Sequence, residues 1–220
     1  NEDGDFRSKE CIALLTECDI VVTNPPFSLM KEYIPLLAES GKQFLVLGNM
    51  NHITFKEIFH YFRENKMWLG YNAGHFWFKV PDYYEAKNTD YKQDEDGQKW
   101  RRLGNICWFT NMDIDIRHQF LDLYKHFSIQ EYPEYDNYDA YFVKTVADIP
   151  CDTDKPLAVP ITFLSSFSPD QFELLDANQF RKNDEVPVKS HGLIKDKDGT
   201  IKGKATYARL LVRNRNPEKE

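Results

Sequence analysis

Long apolar runs are missing from this 220-residue chain. None approaches the roughly 18 to 20 residues that a bilayer-crossing helix needs, so no membrane partner is expected. No basic stretch followed by an apolar segment and a small-residue cleavage site opens the sequence, so nothing signals export, and a cytoplasmic location is expected. Cysteine is scarce. Cys11, Cys18, Cys107 and Cys151 are too few and too scattered for a disulfide framework, and no two have the spacing of a zinc knuckle. Reduced, mostly buried thiols are the expectation. The six histidines form no ligand-like pair: His60 and His126, both on expected helices, lack a histidine partner at i+4, so no metal site is expected. A glycine-rich phosphate loop, internal repeats and low-complexity tracts are absent too. What is present is an ordinary globular composition, 41% hydrophobic and 29% charged, long enough to bury a core without staples.

The net charge is −7, but it is spread unevenly. Residues 181–220 carry a net +5 and residues 1–180 a net −12. A basic C-terminal segment on an acidic body fits an anionic partner, because counterion release depends on local charge; a solvated basic tail fits the composition equally well.

Strand-like and helix-like patterns alternate over the first hundred residues, which is the mark of an α/β layer fold. Ser8 can cap a helix through Ile12, Leu14 and Leu15. Asp19 to Thr23 is a short β-branched run that reads as a buried parallel strand ending at Asn24. A second helix is expected after Ser28, kinked or shortened by Pro35 and stopped at Gly41. Gln43 to Leu47 reads as a second buried strand. Thr54 and Glu57 form a capping-box pattern ahead of Phe55, Ile58, Phe59 and Phe62 at helical spacing. His75 to Val80 and Asn105 to Thr110 read as strands, separated by an acidic stretch, Asp82 to Gln98, that reads as a mobile loop. Beyond residue 118 the alternation fades. Pro160 to Leu164 reads as a strand, Ser168-Pro169-Asp170-Gln171 as a helix start, and Lys195 to Gly199 as a hairpin turn. In the last strand Tyr207, Arg209, Leu211 and Arg213 share one face.

The chemistry is concentrated in residues 19–27, Asp-Ile-Val-Val-Thr-Asn-Pro-Pro-Phe. Asn24 falls at the carboxyl end of a strand, where ligand sites of open α/β sheets collect. Pro25 and Pro26 forbid helix, remove two backbone donors and leave carbonyl oxygens without local partners. Phe27 adds a flat apolar face. Such a corner suits a planar substrate bearing an exocyclic amino group. The Asn24 side-chain oxygen and the Pro25 carbonyl can each accept one amino hydrogen, which favours a pyramidal nitrogen with its lone pair facing outward. These acceptors stabilise positive charge that develops only as a new bond forms, so they act on the transition state.

With these residues the sequence resembles the amino-group methyltransferases that use S-adenosylmethionine. It is similar in particular to the EcoRI-type DNA adenine-N6 methyltransferase family, whose signature Asn24-Pro25-Pro26-Phe27 matches. Gly4-Asp5-Phe6 resembles the family's acidic position after its third strand. The strings Gly48-Asn49-Met50-Asn51, Trp68-Leu69-Gly70-Tyr71, Trp108-Phe109-Thr110-Asn111, Tyr135 to Ala140 and Val159 to Leu164 extend the likeness over nearly the whole chain.

The resemblance implies the C-terminal part of a Rossmann-like methyltransferase sheet with an irregular α+β extension. It implies a partial catalytic domain over residues 1–117 and a DNA-recognition region over 118–220. Catalysis falls to Asn24, Pro25, Pro26 and Phe27, with S-adenosylmethionine as cofactor, its adenine held by Asp5 beside Phe6. The partner is double-stranded DNA whose target adenine is flipped out onto Phe27, with Trp108 or Phe109 as a second wall or as core. Lys195, Lys197, Lys202, Lys204, Arg209, Arg213 and Arg215 are candidates for phosphate contacts, and a cognate restriction endonuclease is implied. One departure is plain: the loop that carries the methionine half of the cofactor has no counterpart after Asn1, so the chain reads as a C-terminal piece of a longer enzyme. Two alternatives remain, a non-catalytic DNA-binding fragment and an amino-methyltransferase acting on protein glutamine or RNA.

Overall fold

The computed structural model describes residues 4–71, 73–85, 90–135, 139–177, 193–195, 201–204 and 209–219. Helix α1 (Lys9–Glu17) opens on Ser8, whose backbone is extended and whose hydroxyl accepts the Cys11 amide, relieving one orphan donor of the first turn. Strand β1 (Ile20–Thr23) follows, then a 3-10 turn at Phe27–Leu29, helix α2 (Met30–Glu39) and strand β2 (Gln43–Asn49). β1 and β2 run parallel, with Ile20 opposite Gln43 and Thr23 opposite Val46; α2 is the crossover that a parallel pair requires. Pro35 sits inside α2 without ending it. The turn into β2 is made at Gly41, whose φ of +71° is open to glycine at little cost.

β1 departs from the expectation of a buried strand. It is the edge of its sheet: Val21 packs on the core while Ile20 is 46% and Val22 66% exposed. An apolar composition reports that a strand can be covered, not that a described residue covers it.

After β2 come helix α3 (Lys56–Arg63) and strands β3 (Trp68–Leu69), β4 (Gly74–Lys79), β5 (Tyr91–Gln93) and β6 (Lys99–Thr110). β6 is the spine of the six-stranded sheet. Its second half lies antiparallel between β2 and β3, and its first half between β4 and β5. Asn105, at φ +58°, marks the change of partners; asparagine tolerates that conformation better than most side chains. β5 corrects the expected loop over 82–98: Gly97 at φ +81° and the Asp94 carboxylate, which accepts the Gln98 amide, close a tight turn between β5 and β6. The expected capping box of α3 is also corrected. Thr54 donates its hydroxyl to the Asn51 carbonyl, and Phe55 occupies the cap position. The apolar spacing was sound, for Ile58, Phe59, Tyr61 and Phe62 are buried.

The second sheet has the order β7 (Tyr141–Phe142), β8 (Leu157–Pro160), β12 (Arg209–Asn214), β9 (Phe172–Ala177), and β10 (Leu193–Lys195) pairs antiparallel with β11 (Ile201–Lys204). The expected strand at 160–164 instead ends at Pro160 and becomes a 3-10 turn over Ile161–Ser166. Residues 169–171 form a turn, and 119–127 holds no helix, so His126 is not helical. α3 lies between α2 and β9, and one apolar core runs from Met30 and Phe44 through Phe59 to Phe172 and Leu210. Burying each large aliphatic or aromatic side chain there contributes about 1.5–3 kcal/mol. No helix among the described residues is long and apolar enough to cross a membrane.

Candidate active site

The parallel pairing of β1 and β2 brings their carboxyl ends side by side, and Asn24 leaves β1 at that rim. Asn24 and Pro26 are exposed, and Pro25 and Phe27 are half-buried. Among the described residues no hydrogen bond holds the Asn24 amide. The acceptor corner is smaller than expected, because the Pro26 carbonyl accepts the Leu29 amide at 3.0 Å and starts the 3-10 turn. Among the described residues the Asn24 side chain and the Pro25 carbonyl accept no hydrogen bond, which leaves both as acceptors.

Phe27 is backed by the segment that follows β2. The Phe27 and His52 rings meet edge to face at 5.3 Å, and His52 stacks on Phe55 at 5.4 Å, with the Lys31 ammonium 4.5 Å above Phe55. His52 is buried and locked by a reciprocal cap: its Nδ1 accepts the Asn49 amide, while the Asn49 side chain accepts the Asn51 amide. Burial holds the imidazole pKa below its ordinary value. A neutral ring accepting at Nδ1 carries its proton on Nε2. Gly48, just before this turn, is required by close approach, since the Phe109 ring lies where a side chain would begin. Phe109 is wholly buried and edge-on to Phe62 at 5.9 Å, which makes it core; Trp108 is half-buried.

Asp5 and Phe6 lie beside α2. The Asp5 carboxylate accepts the Arg7 amide, Nε and Nη2, and Arg7 reaches on to Glu32 at 2.7 Å. The Arg7 guanidinium holds the Asp5 pKa down at about 2. Phe6 meets Tyr33 edge to face at 5.0 Å and lines an open, mostly apolar groove of about 330 Å³ with Leu15, Val22 and Leu36.

Of the basic C-terminal residues, Arg209, Arg213 and Arg215 are engaged within the protein. Arg209 corrects the sequence reading: it is 6% exposed, donates to the Val143 carbonyl, and lies 4.2 Å over the Phe142 ring. The reason is that both faces of β12 are covered, with Arg209, Leu210, Leu211 and Val212 all buried, so alternation does not separate an inner from an outer side. Arg213 is partly covered and lies 3.4 Å from Glu173; Arg215 donates to the carbonyls of Pro169 and Phe172. Lys195, Lys202 and Lys204 fall on the β10–β11 hairpin, and Lys197, like Tyr207, lies outside the described residues.

A cationic and aromatic face that the sequence reading missed lies on the extension formed by β4, β5 and β6. Cross-strand register puts Trp77 opposite Arg102, and both Lys79 and Lys92 opposite Trp100. The Lys92 ammonium is 4.6 Å from the Trp77 ring and 5.7 Å from Trp100, and Lys79 is 5.4 Å from Trp100. The two pairs Trp77 with Lys79 and Trp100 with Arg102, each two residues apart, were its only sequence signal.

A family model described as adenine-specific methyltransferase EcoRI matches residues 1–215. The chain belongs to that family. It is 44% identical to the type II methyltransferase M.EcoRI of Escherichia coli over 99% of its own length and 64% of that protein's. It is 38% identical to the type II methyltransferase M.MpnI of Mycoplasma pneumoniae, covering 97% of this chain and 69% of the relative, and 37% identical to M.MgeORF184P of Mycoplasma genitalium, covering 96% and 69%. The chain thus spans about two thirds of the length of these relatives. No solved structure matches it.

Proposed function

We propose that this chain carries the base-holding corner of a type II DNA methyltransferase that methylates the exocyclic amino group of adenine within a restriction–modification system. The observation that carries the reading is the exposed Asn24-Pro25-Pro26-Phe27 turn at the carboxyl end of β1, beside that of β2, in a member of this family. The Asn24 side-chain oxygen and the Pro25 carbonyl each accept one amino hydrogen of a flipped adenine, and the ring rests on Phe27. The nitrogen lone pair then faces away from the corner. The acceptors would offset the positive charge that develops as the nitrogen takes the methyl carbon and the carbon–sulfur bond breaks, with one amino proton then leaving to solvent, and the Pro-Pro backbone keeps them in place without reorganisation. His52, buried and neutral, braces Phe27 without adding a charge of its own.

S-adenosylmethionine, when bound, supplies an electrophilic methyl group. The residues present suit its adenine: Phe6 offers an apolar ring on the groove wall, and Asp5 keeps a carboxylate ionised at neutral pH. The parallel β1–α2–β2 unit supports a Rossmann-like sheet, and antiparallel β6 beside it closes that sheet toward β3. For DNA, the Trp77, Lys79, Lys92 and Trp100 face supports a duplex contact, since its ammonium groups suit the phosphate backbone.

The test is methyl transfer from labelled S-adenosylmethionine to duplex DNA, RNA and protein in parallel. Asn24→Ala should lower DNA methylation by about 10²–10³-fold with DNA affinity unchanged. Undiminished turnover refutes the role of Asn24, and label appearing in protein or RNA alone refutes the substrate.

A further inference from the structure

A second cluster of reactive side chains lies away from this site. His126, Cys151 and Asp152 bring one donor atom each to within 4.8 Å of one another. His126 Nδ1 is 3.2 Å from Asp152 Oδ2 and 3.8 Å from Cys151 Sγ. Both contacts converge on the same ring nitrogen. The Cys151 thiol also faces the Glu218 carboxylate, which can take its hydrogen and leave the sulfur lone pairs toward His126 and Asp152. A cation between the three atoms satisfies all of them. With zinc bond lengths of about 2.0–2.1 Å to nitrogen, 2.0–2.2 Å to oxygen and 2.3 Å to sulfur, tetrahedral geometry separates N from O by about 3.3 Å and N from S by about 3.5 Å. The observed separations lie within a few tenths of these values.

The surrounding backbone holds the three residues in register. Cys151 donates its amide to the Lys125 carbonyl, and the Phe127 amide donates to Asp152 Oδ1, so the residues on both sides of His126 are tied to the other two ligands. Using Oδ1 for Phe127 leaves Oδ2 for a metal, the arrangement in which an outer hydrogen bond orients a ligating carboxylate. The Cys151 carbonyl is fixed from behind by the buried Asn214 and by the Glu218 amide. Cys151 and Asp152 form the floor, while the His126 ring is largely exposed, which leaves an entry path and a fourth position for water.

We infer that His126, Cys151 and Asp152 form a binding site for a borderline divalent cation of the zinc class, pinning the 119–127 segment to β12 through Cys151. The donor set of one thiolate, one imidazole and one carboxylate selects against calcium and magnesium, which take oxygen ligands. Binding releases the thiol proton. The inference is independent of methyl transfer.

The experiment uses the full chain, stripped with EDTA under a phosphine reductant and titrated with Co2+ alone. One equivalent should bind with a thiolate-to-cobalt charge-transfer band and tetrahedral visible bands, all bleached by one equivalent of Zn2+. Cys151→Ser should abolish the charge-transfer band. Since Cys151 is buried and its replacement can disturb folding, the surface substitution His126→Ala and the isosteric Asp152→Asn are the deciding variants. Each should weaken Co2+ binding by at least about tenfold with unchanged far-ultraviolet circular dichroism. Replacing both Cys11 and Cys18 by Ser should leave binding intact. No charge-transfer band, a band that depends on Cys11 or Cys18, or full affinity in both His126→Ala and Asp152→Asn would overturn the inference.

Discussion

Replacing Gly48 by alanine tests how the core shapes the rim of the site. The added Cβ would stand 2.3 Å from Phe109 Cε2, 2.8 Å from Cδ2 and 3.0 Å from Met30 Cε, where carbon contacts are ordinarily about 3.5–4.0 Å. Neither partner can step aside cheaply, because Phe109 and Met30 are both wholly buried and Phe109 is edge-packed on Phe62. Overpacking of this kind costs about 1–3 kcal/mol. Alanine recovers about 0.4–1 kcal/mol by restricting the unfolded chain. With an overlap beyond 1 Å against a rigid ring the cost falls in the upper part of its range, which leaves a net loss of about 2 kcal/mol. In a chain of this size that lowers Tm by about 4–8 °C. Urea unfolding of Gly48→Ala, Phe109→Leu and the double variant gives the coupling directly. In the Phe109→Leu background the added methyl should cost less than about 1 kcal/mol, a coupling within the range for residues in contact. A Gly48→Ala protein within about 0.5 kcal/mol of the parent, or strictly additive losses, would refute the packing argument.

Arg209→Ala should destabilise the fold by about 2 kcal/mol, through lost packing and the Val143 carbonyl left without the Arg209 donor, while the salt dependence of DNA binding stays the same; a changed slope at constant stability would return Arg209 to the DNA surface. In contrast, Lys79→Ala with Lys92→Ala should flatten the plot of log affinity against log salt by about 1–2 without altering Tm, and an unchanged slope would remove that face from the duplex contact. The Asp5 carboxyl is depressed by Arg7 to about 2, so the stability this pair contributes is complete above the ordinary carboxylate pKa and is lost as pH falls through about 2. Carboxyl carbon resonances should report the Asp5 titration at about 2, moving back toward the ordinary range in Arg7→Met; a titration still near 2 in that variant would exclude Arg7 as the cause.

Local grammar was legible where neighbours in sequence are also neighbours in space. The Ser8 cap, the β1–α2–β2 unit, the stop at Gly41 and the buried face of α3 all follow from spacing within a dozen residues, and each is found. Inference from alternation failed for β12, because alternation assumes one wet face and both faces of this strand are buried. For β1 the deviation is in the opposite sense: the β-branched run predicts a buried strand, and Ile20 and Val22 are exposed. Burial is a property of the partners, and a strand sequence does not name them. At Thr54 the capping pattern was real but was outcompeted, since the hydroxyl found the Asn51 carbonyl of the preceding turn.

The two candidate sites differ in legibility for the same reason. Asn24, Pro25, Pro26 and Phe27 are contiguous, so their chemistry could be argued as a string before any fold was known. Even there, the string could not show that the Pro26 carbonyl is consumed by Leu29 while Pro25 is left as an acceptor; the turn geometry decides which oxygens remain. His126 stands 25 residues from Cys151, and no spacing rule joins them. What joins them is the pairing of Lys125 with Pro150 and the hydrogen bonds on either side of His126. Without that ladder, an exposed histidine and a buried cysteine are two unremarkable residues. With it, a thiol, an imidazole and a carboxylate bring their donor atoms together at the spacing of metal ligands, and cobalt titration tests whether they hold a cation.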